Sequence, residues 1–142
     1  MTVSAFVGGS RGAIISVPRT DSVAQAVTLL AQRRIGCVPV VEDGVVLGIF
    51  SERDVVYGLE REGATLLAKT VGEVMTTPPV TIAPDMPIIS ALSLMTRRRI
   101  RHLPVVERGR MVGFVSIGDL VKHRMDKIES EAEAMRSYIQ SA

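Results

Sequence analysis

Gly48-Ile49-Phe50-Ser51-Glu52-Arg53-Asp54 is matched further along the chain by Gly113-Phe114-Val115-Ser116-Ile117-Gly118-Asp119. Both stretches read Gly, two apolar residues, Ser, two variable residues and Asp. They stand 65 residues apart, and the same offset lays most of the chain on itself without a gap. Ala26, Leu29, Arg33, Arg34 and Ile35 fall on Ala91, Leu94, Arg98, Arg99 and Ile100. Pro39-Val40-Val41-Glu42 falls on Pro104-Val105-Val106-Glu107. Self-similarity at one fixed period marks a repeated supersecondary unit.

Outward from the motif, each copy has the same layout. Residues 38–41 and 45–50 read as two short strands joined across the Gly-containing turn Glu42-Asp43-Gly44, and 103–106 and 111–115 as two joined across Glu107-Arg108-Gly109-Arg110. Upstream lies a helical period, with Val23, Ala26, Val27 and Leu30 on one face and Ile88, Ala91, Leu92 and Met95 on its counterpart. Arg33-Arg34 and Arg97-Arg98-Arg99 close these helices, where cations suit the negative end of the dipole. Thr20 or Ser22, and Asp85, stand where an N-cap is needed. Before them, β-branched runs at 14–17 and 80–82 predict a first strand. A second helix starts at Ser51 or Ser116. The fold class is therefore α/β (α+β), with two βαββα repeats packed with pseudo-two-fold symmetry and an extended C-terminal helix. The expected division is 9–65 for the first repeat, 66–78 for a connector, 79–126 for the second repeat and 127–142 for the helical extension. A unit of about sixty residues buries only about 60% of its unfolded surface, so the two are expected to share one core. The connector carries Val71, Val74 and Met75 and is not Gly/Ser-rich, which predicts order.

Composition narrows the function. Of the 142 residues 46% are apolar and none is Trp, so the core must be aliphatic. A net charge of +2 with interspersed signs suits a small anionic ligand better than nucleic acid. The lone Cys37 excludes an internal disulfide and a multi-Cys zinc site, and is expected as a small buried hydrophobe. Two histidines, His102 and His123, do not suggest a metal site, and His123 is expected to face solvent. No apolar run reaches membrane-spanning length and no secretion signal is visible, so the expectation is a cytoplasmic protein without membrane contact. There is no phosphate loop, no Gly-x-Gly-x-x-Gly and no Ser-His-Asp or Cys-His set. The expectation is a protein that is not an enzyme and has no catalytic cofactor.

Two βαββα units, each with a Pro-Val-Val strand followed by Gly-apolar-apolar-Ser-x-x-Asp, resemble a tandem pair of cystathionine-β-synthase-type (CBS) domains, the Bateman module. Val71-Gly72-Glu73-Val74-Met75 is similar to that family's lead-in to its second copy. The resemblance covers about residues 9–124. It implies an adenine ligand held between the copies: AMP foremost, with ADP, ATP or NAD, and sometimes S-adenosylmethionine, as alternatives. It implies that Asp54 and Asp119 contact ribose hydroxyls, that Ser51 and Ser116 contact phosphate, and that adenine lies by the backbone near Val38 and Leu103. It also implies homodimers and regulation of a separate partner. Elementary chemistry agrees: a helix start favours an anion, an Asp one turn on faces the same side, and a carboxylate accepts from both hydroxyls of a diol. Each motif's Gly would let a ligand approach the backbone. The same Ser-x-x-Asp also reads as a capping box with Asp for Glu, and the two readings are compatible at Ser51. Val38 and Leu103 read equally well as core strand.

The densest basic stretch runs from Arg97 to His102. It is either a solvated helix end or a phosphate contact made by Arg101 and His102 just before a strand that opens on the cleft. Their counterparts Gly36 and Cys37 carry no charge, while Arg53 can supply charge where Gly118 cannot. The two sites are thus expected to be unequal, with Asp54 the weaker assignment. Single-stranded nucleic-acid binding is set aside for want of stacking aromatics. Along the last helix Val121, Met125, Ile128, Ala132, Met135 and Ile139 form a heptad seam, either folded back on its own domain or used for self-association. The alternative function is a protein-interaction module with vestigial clefts.

Overall fold

The computed structural model describes residues 1–8 and 14–141, so residues 9–13, where the expected first repeat begins, lie outside the described residues. The first repeat runs through α1 (Val23–Arg33), β1 (Cys37–Glu42), β2 (Val45–Ser51) and α2 (Glu52–Glu62). A connector follows, with 3-10 turns at Gly63–Ala68 and the short helix α3 (Val71–Val74). The second repeat runs through α4 (Ile88–Arg98), β3 (His102–Glu107), β4 (Arg110–Ser116) and α5 (Ile117–Ser141). A 3-10 turn at Val3–Phe6 precedes the first repeat.

The hairpins are copies of one another. Glu42 pairs with Val45 around Asp43 and Gly44, at φ 50° and 80°, and Glu107 pairs with Arg110 around Arg108 and Gly109, at φ 53° and 77°. Two positive φ values in a two-residue loop match the right-handed twist of the strands. Each hairpin has a bulge at the same place, between Val40 and Val41 and between Val105 and Val106.

The expected first strand is reduced to one residue per repeat. Val17 N–H donates to Pro39 O at 3.1 Å and Val41 N–H to Val17 O at 3.0 Å. Ile82 N–H donates to Pro104 O at 3.0 Å and Val106 N–H to Ile82 O at 2.8 Å. The next rung of a parallel ladder needs an N–H from Pro39 or Pro104, and proline has none.

The expected shared core is also corrected, because each repeat has its own. Val17, Val23, Ala26, Val40 and Phe50 pack with Leu66 and Val71 of the connector. Ile88, Ala91, Met95, Leu103, Val115 and Leu120 pack with Val3 and Phe6 of the N-terminal turn. The lead-in to each repeat is thus built into the other. Val23 N–H donates to Lys69 O and Val71 N–H to Asp21 O, both at 2.8 Å. In the other repeat Ile88 N–H donates to Met1 O at 3.2 Å and Val3 N–H to Met86 O at 2.9 Å. A unit of this size is marginal alone, and the borrowed segment supplies the missing apolar area. Gly58 in α2 makes room for it, since a Cβ there would lie 2.5 Å from Leu66 Cδ1.

Local signals have mixed outcomes. Ser22, and not Thr20, caps α1 in a reciprocal box with Gln25. Asp85 does not cap α4: Pro87 holds the cap position without a side-chain bond, and Met1 O takes the Ile88 N–H instead. Both α1 and α4 end on an arginine in the left-handed region, Arg34 and Arg99, each at φ 54°, a conformation that costs a non-glycine residue about 1 kcal/mol. His123 is not solvent-facing; its ring meets Phe6 edge-on at 5.4 Å and is half-buried. Nor is the seam of α5 folded back on its own domain. Leu120 is the buried residue of that helix, while Met125, Met135 and Ile139 are 52%, 60% and 64% exposed.

Candidate functional site

Two clefts follow from the pseudo-symmetry, and each draws on both repeats. One, of about 200 Å³, is lined by Ser51, Arg53 and Asp54 from the first repeat and by Arg99, Arg101 and His102 from the second. The other, of about 430 Å³, is lined by Ser116, Asp119, Phe114 and His102 from the second repeat and by Ile14 and Ile15 from the first. Arg101 therefore joins Asp54, not the carboxylate of its own repeat. Its backbone stays home, with Arg101 O accepting from Ile117 N–H at 2.8 Å, as Gly36 O accepts from Glu52 N–H at 2.9 Å. Its guanidinium crosses over and donates to Glu52 Oε1 at 3.4 Å. The expected inequality of the two sites thus runs the other way, and the cleft of Asp54 is the cationic one.

The Ser-x-x-Asp boxes are caps in both repeats. Ser51 N–H donates to Asp54 Oδ2 at 2.9 Å, and Asp54 N–H to Ser51 Oγ at 3.3 Å. Ser116 N–H donates to Asp119 Oδ2 at 3.3 Å, and Asp119 N–H to Ser116 Oγ at 3.0 Å. Asp54 has a further partner: Thr76 Oγ1 donates to its Oδ1 at 2.8 Å. Thr76 is brought there by a two-bond bridge to Ile49, at 2.9 and 3.0 Å. This bridge also explains Gly48, where a Cβ would sit 2.7 Å from Thr76 O. The close approach expected of a ligand at this glycine is made by the connector. Capping leaves room for a ligand, since a carboxylate has about four acceptor positions.

Charge within the clefts is set by the arginines. His102 and Cys37 are repeat counterparts, and each lines both clefts. Burial holds the His102 imidazole below its ordinary range, Arg101 pushes it further down, and Asp119 and Glu52 oppose them. The ring is therefore neutral near pH 7, and it stacks on Phe114 at 5.5 Å and 17°. Cys37 is buried, and burial pushes its thiol up to about 12, with Arg101 pulling the other way. It stays protonated, which suits the small hydrophobe expected. The side chains of Val38 and Leu103 are 1% and 0% exposed, inside the two cores, and do not line the clefts; Cys37 and His102 beside them do.

Three cleft residues escape a reading of the motif alone: Thr76, Arg99 and Glu52. Glu52 is a variable position of the motif, and its partner Arg101 lies in the other repeat. Arg99 reads as part of a helix end, yet it lines the cleft of Asp54, while its counterpart Arg34 does not line the cleft of Asp119. Among the described residues no three His, Cys, Asp or Glu side chains gather as a metal site, and no helix is long and apolar enough to cross a membrane.

Comparison with known proteins follows the same lines. The CBS domain family matches residues 10–61 and 71–126. CBSX3, a mitochondrial CBS domain-containing protein of Arabidopsis thaliana, is 34% identical over 84% of this chain, which spans only 61% of that protein. YhcV, a CBS domain-containing protein of Bacillus subtilis, is 34% identical over 86% of each. Among solved structures, a CBS-domain containing protein from Agrobacterium tumefaciens superposes with a TM-score of 0.79 at 37% identity, over 87% of this chain and 92% of that one. CBSX2 of Arabidopsis thaliana in complex with AMP superposes at 0.75 with 25% identity, over 88% and 96%. The CBS domain pair of MJ0100, in complex with 5-methylthioadenosine and S-adenosyl-L-methionine, does so at 0.75 with 25% identity, over 89% and 98%.

Proposed function

The chain belongs to the CBS domain family as a tandem pair, and from that membership we propose a non-catalytic regulatory module that binds an adenine nucleotide between its repeats and signals to a separate partner. The observation that carries this reading is the convergence of the Ser51–Asp54 box with Arg99 and Arg101 of the other repeat in one cleft. In it, Asp54 takes the ribose hydroxyls. Ser51 and the start of α2 take phosphate together with Arg53 and Arg101. The neutral, stacked His102 offers a flat face to the ligand, and the adenine lies by the backbone beside Val38 and Leu103. Ser116 and Asp119 play the same parts in the second cleft. AMP is the foremost ligand, with ADP, ATP and NAD as alternatives. The AMP complex of one structural relative and the S-adenosylmethionine complex of another support adenine as the common element.

Titration calorimetry against AMP, ADP, ATP, NAD and S-adenosylmethionine tests this. Saturable binding of at least one is expected. Asp54→Ala and Asp119→Ala should each weaken binding at their own cleft by about 1.5–3 kcal/mol, or ten- to 150-fold, because a charged acceptor is lost. Equal affinity in wild type and both variants overturns the assignment.

A second reading rests on α5. Its seam is exposed over Met125, Ile128, Met135 and Ile139, an apolar stripe at heptad spacing that suits burial against a second helix. Pairing of two copies along α5 would cover the seam in a homodimer. If no ligand binds, and truncation after Arg124 converts a dimer to a monomer in sedimentation, the chain is an interaction module with vestigial clefts.

A further inference from the structure

At the cleft-lining positions the charged differences between the repeats collect in one place. Glu52, Arg53 and Arg101 all line the cleft of Asp54. Their repeat counterparts are Ile117, Gly118 and Gly36, which carry no charge. Two of these charges already answer each other across the repeats: Arg101 Nη2 lies 3.4 Å from Glu52 Oε1, and the side chains are 65% and 63% exposed. Among the described residues this is the one ion pair that joins the first repeat to the second.

We propose that Glu52 competes with the ligand's phosphate for Arg101, so that nucleotide binding in this cleft breaks the ion pair between the repeats. The inference rests on the nucleotide reading above and deepens it. An exposed pair at this distance contributes little to stability. A phosphate accepts two parallel N–H bonds from the guanidinium fork and carries more charge than a carboxylate, so it displaces Glu52. The freed carboxylate stays at the rim of the cleft and repels what displaced it. Glu52 is thereby a specificity-determining residue. It disfavours anions that cannot make the full contact with Arg101, and its cost is felt by anionic ligands and not by an uncharged one such as adenosine.

The test is calorimetric titration of adenosine, AMP and ADP into wild type, Glu52→Gln, Arg101→Gln and the double variant. Both residues are well exposed, so all four proteins should fold, which circular dichroism checks. Glu52→Gln is expected to tighten ADP about two- to fivefold, AMP less, and adenosine not at all. In the Arg101→Gln background the gain for ADP should shrink. Unchanged or weaker ADP binding in Glu52→Gln overturns the competition, as does an equal gain for adenosine. A gain of the same size without Arg101 overturns it too, since Glu52 would then be only a general repulsive charge. If wild type binds nucleotide and Glu52→Gln gains nothing, only this inference falls. If neither protein binds any of the three, the nucleotide reading falls and takes the competition with it.

Discussion

The two clefts share a backbone plan and differ in what lines it. At one, Asp54 is held by its cap partner and by Thr76, and arginines from both repeats surround it. At the other, Asp119 has its cap partner alone among the described residues, beside Ile14, Ile15 and the Phe114–His102 stack. The elements that build each repeat have stayed alike: a glycine turn with two positive φ values, a bulge at the same rung, and a Ser-x-x-Asp cap. Charge has diverged because it costs the scaffold little. Exposed ion pairs contribute at most about 1 kcal/mol, whereas a lost cap or a hole in the core costs as much or more. A duplicated fold can therefore specialise one cleft without disturbing its frame.

The sharpest contrast between the repeats should appear in their separate cores. Phe50 and its counterpart Val115 are both fully buried, each in its own cluster. Phe50→Ala should cost about 3–5 kcal/mol and Val115→Ala about 1.5–3 kcal/mol, read as midpoint shifts in urea denaturation. Equal losses would mean that the volume removed does not set the cost in these cores.

A smaller effect is expected at the caps. Ser51→Ala should cost about 1 kcal/mol, and Ser116→Ala should cost a similar amount by the same measurement. A negligible loss at both would remove the capping account of the motif, leaving ligand contact as its sole rationale.

The smallest contrast is one of pH, at the paired positions Cys37 and His102. Because His102 is held below its ordinary range in the folded protein, the unfolded chain takes up its proton first as pH falls. Stability should therefore be full above about pH 6.5, the ordinary histidine value, and decline as pH drops below it. Cys37, pushed up to about 12, contributes no such slope there. His102→Gln should flatten the profile of unfolding free energy between pH 5 and 7, and a slope unchanged in that variant would show that another group carries it.

Much of this was legible in the chain before folding. The 65-residue offset, the hairpins, the helical faces and the caps at Ser22, Ser51 and Ser116 depend on neighbours a few residues apart. The readings that changed depend on segments far apart. Asp85 looked like a cap because nothing local says that Met1 O will take the Ile88 N–H. A first strand was expected from β-branched runs, but its ladder fails at prolines in the strand it would join. Val3 and Phe6 carried no periodic signal, yet they complete the second core.

The sequence by itself determined a duplicated βαββα chain, with two hairpins closed by glycine turns and two Ser-x-x-Asp helix starts, since period, turn chemistry and capping act over a single turn of chain. Only the tertiary structure decided that each lead-in completes the opposite repeat's core and that Arg101 faces Asp54 and Glu52 rather than Asp119. Those outcomes come from burying apolar surface that a small repeat cannot cover alone. That burial sets the two repeats against each other and so determines which side chains share a cleft.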